Sequence, residues 1–148
     1  MIKEKFQALV SACTDDDDML DIINSDMKAL SDYVNAVYAM ETSIPIILAR
    51  YEGDEVRDRI QALDQRRRDK HERAIVATKR LNRFAQMENV QPLFTGDTSD
   101  RYQVAEFCQA CMTEFFAGSD VGYRLRLDET LRHPVHLEKT AEETEYER

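Results

Sequence analysis

Large apolar residues recur along most of the chain with the three- and four-residue spacing of amphipathic α-helices. One such stripe lies within residues 2–13, and a second, longer one runs over residues 20–48. A third helix is predicted over residues 54–89, and a fourth carries a stripe over residues 104–115 and is predicted to end at Gly118. The apolar positions of the four predicted helices are, in chain order, Ile2, Phe6, Leu9, Val10, Cys13, Leu20, Ile23, Met27, Leu30, Val34, Val37, Ile44, Leu48, Val56, Ile60, Leu63, Ala74, Leu81, Ala85, Val104, Phe107, Cys108, Cys111, Met112 and Phe115.

Polar and helix-breaking residues mark where the predicted helices begin and end. Thr14 and the four aspartates of residues 15–18 suit the start of the second helix, because unpaired N–H groups and the helix dipole favour carboxylates there. Pro45 interrupts the second stripe, and since its nitrogen cannot donate to the carbonyl of Glu41, we expect a kink or a break. Gly53 ends this helix, so the second and third helices are predicted to form a long antiparallel hairpin about it.

The pattern changes towards the end of the chain. Over residues 123–127 apolar and basic residues alternate, which is the period-two pattern of a strand. One strand is not stable alone, so it would pack on the bundle, pair with a second subunit or form an irregular arm. Residues 138–148 are charged and nearly devoid of large apolar groups. We therefore predict an all-α, four-helix bundle-like domain over residues 1–118 and a partly extended or disordered C-terminal arm over residues 119–148.

Composition excludes several classes of protein. The length of 148 residues suits one domain, and 4 Gly and 3 Pro are too few for a many-stranded sandwich or barrel. No apolar run approaches the roughly 18 residues of a membrane span, and no apolar stretch typical of a signal peptide follows the N-terminus. Three cysteines, an odd number, argue against a disulfide framework and favour a reducing compartment. We predict a cytoplasmic protein without a membrane partner.

Charge is distributed unevenly along the chain. The net charge of -9 disfavours attraction to nucleic acid, but residues 56–83 carry 10 basic and 4 acidic side chains, a net +6. Residues 1–55 carry 4 basic and 12 acidic side chains, and residues 84–148 carry 6 and 13, so these two segments are -8 and -7. Either oppositely charged helices pack side by side, or the basic helix presents an arginine-rich face to RNA or another polyanion. We expect the basic helix to be largely covered.

Three polar residues fall on the apolar stripes of the predicted hairpin. Arg67 lies between apolar positions of the third helix, His71 lies one turn further on, and Glu41 lies on the stripe of the second helix. Glu41 and Arg67 are nearly equidistant from Gly53, so the hairpin predicts that Glu41 contacts Arg67 with His71 close by. This group is a structural ion pair that fixes hairpin register, or a ligand-binding or catalytic site. In a third interpretation, Arg67 extends to solvent.

The segment from Arg66 to His71 resembles the Arg-x4–6-His motif of HEPN domains, helical bundles that include metal-independent ribonucleases. The resemblance implies that His71 is the general base for a ribose 2′-hydroxyl and that the arginine stabilises charge on the phosphate. The residue after the arginine is Arg67, where the family motif has another polar residue.

Other motifs in the sequence are weaker candidates for a functional site. Cys108 and Cys111 form a Cys-x-x-Cys pair in mid-helix, where cysteine packs as a small core residue. Residues 17–21 match the Asp-Asp-x-x-Asp string of isoprenoid synthases, but no second acidic motif accompanies them, which favours a helix start. His133 and His136 lie in a predicted loop. With no Gly-rich phosphate loop or paired Glu-x-x-His, we predict no cofactor and no metal.

His71, residues 81–83 and the Asp100-Arg101 step are similar to those of small bacterial helical proteins of unassigned function, over residues 15–117. The resemblance implies a helical fold and no particular activity. We therefore predict a protein-interaction or regulatory module, most readily a homodimer or a protein bound to a partner, rather than an enzyme. The alternative is an HEPN-like ribonuclease or RNA-binding bundle that uses Arg66 or Arg67 together with His71, with nucleic acid the less favoured partner.

Overall fold

In a computed structural model of the chain, residues 1–116 are described, and this part is all-α as predicted. Within it there are four helices and no strand. The helices are α1 (Ile2–Ala12), α2 (Asp17–Arg50), α3 (Asp54–Met87) and α4 (Arg101–Phe116). The predicted strand at 123–127, the arm at 119–148 and the domain boundary at 118 lie outside the described residues.

Helices α2 and α3 form the predicted antiparallel hairpin, and each is 34 residues long. Gly53 stands at the turn with φ of 61°, a left-handed conformation that glycine adopts without steric cost. Two pairs of side chains align the helices: the ring of Tyr33 stacks on that of His71, and Asp26 pairs with Arg80. Since both pairs lie at nearly equal distances from Gly53, the register expected for the hairpin is confirmed.

The start of α2 has the capping chemistry that its aspartates predict. The Asp16 carboxylate accepts a hydrogen bond of 3.0 Å from the Met19 amide, and two further aspartates lie in the first turn. At the other end, α2 continues through Pro45 to Arg50, so the predicted break is wrong. Ile47 after the proline is buried, and this packing offsets the loss of one backbone hydrogen bond.

Helices α1 and α4 complete the core, as predicted. The rings of Phe6 and Phe115 meet edge to face with 5.5 Å between their centroids, and Glu114 of α4 accepts hydrogen bonds from the Ile2 and Lys3 amides. These bonds satisfy amide groups that the first turn of a helix leaves without partners. No helix within residues 1–116 has the length and apolar character needed to cross a membrane.

The connection between α3 and α4 is held by Asn82. Its side-chain amide donates to the Phe94 carbonyl over 2.7 Å, and its carbonyl oxygen accepts from the Phe94 amide over 3.1 Å. Leu93 and Phe94 are thereby placed in the core, and Phe94 packs against Phe107 of α4. This anchored loop fixes where α4 begins relative to the hairpin.

Candidate functional site

A cleft of about 480 Å³ opens where the middle of the α2–α3 hairpin meets the first turn of α4. Three helices supply its lining: Tyr33, Arg67, Arg68, His71, Glu72, Arg101, Tyr102 and Ala105. Three guanidinium groups therefore face a single carboxylate in the lining itself. We refer to this site as the arginine cleft.

His71 forms the inner wall of the arginine cleft. Its ring is buried and stacks on Tyr33, with 4.4 Å between the centroids and 19° between the planes. The Nε2 atom lies 3.2 Å from the Arg101 carbonyl oxygen, which can only accept, so Nε2 carries the hydrogen. Burial is the main cause that lowers the pKa of His71, with the positive charges of Arg101 and Arg67 acting in the same direction. The imidazole is therefore neutral at pH 7.

Asp64, just outside the lining, positions two of the arginines. Arg67 donates to one of its carboxylate oxygens over 2.8 Å, and Arg68 donates to the other over 2.8 Å. The hydrogen bond from Arg67 is the main cause that lowers the pKa of Asp64. Arg67 also donates to Tyr33, whose pKa burial nevertheless raises. Both guanidinium groups are thus oriented by one acidic side chain of their own helix.

The outer wall of the cleft is the start of α4. The Asp100 carboxylate accepts from the Tyr102 and Gln103 amides over 2.9 and 3.2 Å, which is the geometry of a helix N-cap. Arg101 then reaches back across the cleft to pair with Glu72 of α3. The Tyr102 side chain is 82% exposed beside them. An aromatic ring and an exposed guanidinium are therefore presented together at the mouth.

Of the three candidates from the sequence, the structure brings Arg67 and His71 together and leaves Glu41 out. Glu41 is exposed, and the guanidinium of Arg67 pairs with Asp64 instead. The predicted Glu41–Arg67 contact is therefore wrong, although the two residues lie at similar levels of the hairpin. The physical reason is that the buried face in the second half of α2 consists of the small residues Ala36, Ala39 and Ser43 together with Ile47. Leu48, an apolar position of the predicted stripe beyond Glu41, is exposed.

Arg66 and His71, the two residues of the Arg-x4-His motif, do not lie on the same face of α3. Residues five apart on a helix lie about 140° apart around its axis, whereas residues four apart lie within about 40°. Arg67 accordingly lines the cleft with His71, and Arg66 is not in that lining. A catalytic role for any of these residues stays a prediction.

The basic segment of α3 is exposed rather than largely covered, contrary to expectation. Arg57 and Arg59 are exposed and pair with Asp54 and Glu55 of the first turn, and Arg68 is exposed and pairs with Asp64. These partners lie three or four residues away on the same helix, where side chains are neighbours. These arginines therefore pair with acidic residues of α3 itself, whereas pairing with neighbouring helices was expected.

The ion pair between Asp26 and Arg80, which joins α2 to α3, was not predicted from the sequence. The Asp26 side chain is 1% exposed and accepts from Arg80 Nε over 3.1 and 2.9 Å, while Arg80 is 46% exposed. Burial raises the pKa of Asp26, although the hydrogen bonds and charge of Arg80 oppose that effect. The position of Asp26 between Ile23 and Leu30 on the apolar stripe could have revealed it.

The remaining candidates from the sequence have structural surroundings. Cys108 and Cys111 are fully buried, and burial raises the pKa of the Cys108 thiol to about 12, so neither forms the thiolate that redox chemistry needs. Residues 17–21 form the start of α2. No group of three or more His, Cys, Asp or Glu in the described residues could hold a metal ion. His133 and His136 lie beyond the part of the chain that the structure describes.

Comparison with known proteins gives one match. A family model described as "Protein of unknown function (DUF3232)" matches residues 1–120, which include all four helices. No curated protein and no solved structure matches the chain. The resemblance to an uncharacterised family of small helical proteins is thus confirmed.

Proposed function

We propose that the chain, which belongs to the family of proteins of unknown function DUF3232, is a protein-interaction module with a regulatory role that binds an acidic segment of its partner in the arginine cleft. The observation that carries the proposal is the convergence of Arg67, Arg68 and Arg101 on one cleft of about 480 Å³. The volume suits one short peptide segment rather than a large flat surface.

The chemistry of the cleft favours carboxylates. A planar guanidinium binds a carboxylate through two parallel hydrogen bonds, which gives both strength and orientation. The side chains of Arg68 and Arg101 are 66% and 58% exposed, so an incoming carboxylate can reach them. Their present partners, Asp64 and Glu72, form surface ion pairs, which contribute at most about 1 kcal/mol and exchange readily.

A long polyanion fits this surface less well than a short acidic segment. Nucleic-acid affinity depends on many basic side chains that neutralise successive phosphates. Along α3, however, the acidic residues Asp54, Glu55 and Asp64 lie among the arginines and interrupt the row of positive charge. The whole chain also carries a net charge of -9. The compact cleft therefore remains the better supported site.

RNA binding with cleavage is the second candidate function, because Arg67 and a neutral His71 share the cleft. A neutral imidazole is the protonation state that a general base requires. If this candidate is correct, the protein cleaves a fluorophore–quencher RNA in the presence of EDTA. His71→Gln then abolishes cleavage while the thermal unfolding curve still shows a folded protein. Intact RNA after prolonged incubation contradicts it.

The proposal includes self-association in the cytoplasm. Leu48, Val76 and Met87 are exposed apolar side chains at separate levels of α2 and α3, and a second copy of the chain would cover them. Cys13, Cys108 and Cys111 are free thiols, which supports a reducing compartment. Sedimentation equilibrium of the full chain tests self-association, and a monomer at all concentrations contradicts the homodimer.

Fluorescence polarisation with a fluorescein-labelled hexaglutamate peptide tests the acidic-segment proposal. We expect Arg68→Gln/Arg101→Gln to lower the affinity at least about tenfold relative to the native protein, because two charged contacts are lost. The matched control is Arg57→Gln/Arg59→Gln, which removes the same charge from a part of α3 outside the cleft. Equal affinity of the two double variants for the peptide overturns the proposal.

A further inference from the structure

The end of the chain carries the chemistry that the arginine cleft would bind. Residues 138–148 contain five glutamates, one lysine and one arginine, and residues 142–147 read Glu-Glu-Thr-Glu-Tyr-Glu without a basic side chain. This is an acidic segment of the class proposed above as the ligand. It also carries one aromatic residue, Tyr146, among its carboxylates.

The cleft offers a complementary contact for each of these groups. Arg68 and Arg101 present exposed guanidinium groups to carboxylates, and Tyr102 presents an exposed ring to an aromatic side chain. Asp64 and Glu72 hold the arginines only through surface ion pairs, which an incoming glutamate can replace at little cost. Charge complementarity thus identifies an occupant within the same chain.

The length of the chain allows the contact. Helix α4 begins at the cleft with Arg101 and ends at Phe116, which is about 22 Å away at 1.5 Å per residue. The 25 residues from 117 to 141 can span at most about 85 Å, so residues 142–147 can return to the cleft. Because both groups belong to one molecule, their effective concentration is high and weak contacts suffice.

We propose that the acidic residues 138–148 occupy the arginine cleft of their own chain and compete there with the acidic segment of a partner. The inference rests on the proposed function, since it requires that the cleft bind carboxylates. Residues 138–148 thereby raise the concentration of partner that is needed for binding.

The test compares full-length variants in the hexaglutamate polarisation assay. Replacing the four glutamates of residues 142–147 with glutamine (E142Q, E143Q, E145Q and E147Q) removes the competitor, and we expect the peptide to bind about tenfold more tightly. In the Arg68→Gln/Arg101→Gln background the same replacement has no effect, because the shared site is lost. The matched control neutralises four exposed acidic residues elsewhere, with D15N, D17N, D18N and E52Q.

Each outcome has a separate meaning. Both quadruple variants change the net charge from -9 to -5, since four negative charges are removed, so equal gains in the two variants overturn the inference as a bulk charge effect. If the tail variant and the native protein bind equally while Arg68→Gln/Arg101→Gln binds weakly, the inference fails and the proposed function stands. If neither the native protein nor the tail variant binds the peptide, the proposed function fails.

Discussion

At the scale of single residues, the pair of Asp26 and Arg80 is asymmetric. The carboxylate is buried at 1% exposure, whereas the guanidinium is 46% exposed and keeps contact with water. A buried charge without its partner costs several kcal/mol, but an exposed one is solvated. Removal of Arg80 therefore lowers the stability more than removal of the Asp26 carboxylate does.

We expect Arg80→Ala to lower the free energy of unfolding by about 3 kcal/mol, because it leaves the Asp26 carboxylate buried and unpaired. Asp26→Asn lowers it by only about 1 kcal/mol, since Arg80 can turn to solvent. Urea unfolding followed by circular dichroism measures both. Arg80 lowers the pKa of Asp26 against the effect of burial, so in Arg80→Ala this pKa is raised further. The variant therefore gains stability relative to the native protein as pH falls from 7 to 5, and a constant deficit contradicts this account.

His71 has the opposite pH dependence. Burial lowers its pKa in the folded protein below the ordinary value of 6.5, so the unfolded chain binds the proton more readily. Stability from this group is present above pH 6.5 and is lost as pH falls through the folded pKa. We expect His71→Phe, which keeps an aromatic ring against Tyr33, to remove this loss of stability on acidification. An NMR titration that places the pKa of His71 at or above 6.5 contradicts the prediction.

At the scale of elements, the helices could be predicted because apolar spacing directly reflects helical geometry. The face of a helix that meets its neighbour was harder to predict. In the second half of α2 it is formed by Ile47 and by Ala36, Ala39 and Ser43, three small residues that allow close approach but hardly contribute to an apolar stripe. For that reason Glu41 was placed on the wrong face, while the hairpin itself was predicted correctly.

Part of the cleft also followed from the sequence. Arg67 and His71 lie four residues apart on one face of α3, which the spacing reveals. Tyr33 of α2 joins them through the register of the hairpin. Arg101 and Tyr102 join them only because α4 docks there, and no local pattern encodes this arrangement. Nor does spacing decide which of several carboxylates pairs with Arg67.

The loop before α4 depends on one residue of α3. Asn82→Ala removes both hydrogen bonds to Phe94 and leaves a backbone amide and carbonyl without partners. We expect a loss of about 2 kcal/mol in the free energy of unfolding. Arg83→Ala, an exposed neighbour on α3, is the matched control and should leave the free energy of unfolding nearly unchanged. Equal stability of the native protein and Asn82→Ala in urea unfolding contradicts this role.

At the scale of the whole molecule, all four helices of the described residues 1–116 contribute to one cluster of buried side chains. Aromatic contacts such as Phe94 with Phe107 tie α4 and its preceding loop into that cluster. This core therefore requires α4.

We expect a fragment of residues 1–118 to unfold cooperatively, with a Tm lower than that of the full chain by at most about 6 °C. Occupancy of the cleft by residues 138–148 that weakens peptide binding about tenfold stabilises the folded state by about 1.4 kcal/mol, which sets this limit. A fragment of residues 1–100, which lacks α4, should fail to fold and serves as the control. Differential scanning calorimetry measures both, and a fragment 1–118 without a transition would place the domain boundary further along the chain.

The contact between α1 and α4 also constrains the order of folding. Phe6 packs on Phe115, and Glu114 binds the amides at the start of α1, so the partners are more than 100 positions apart. On the ribosome, α1 is made first but its partner emerges only after α2 and α3. The hairpin needs shorter chain closures and can assemble earlier. Docking of α1 is therefore a late step of folding, and its apolar face stays unpaired throughout most of synthesis.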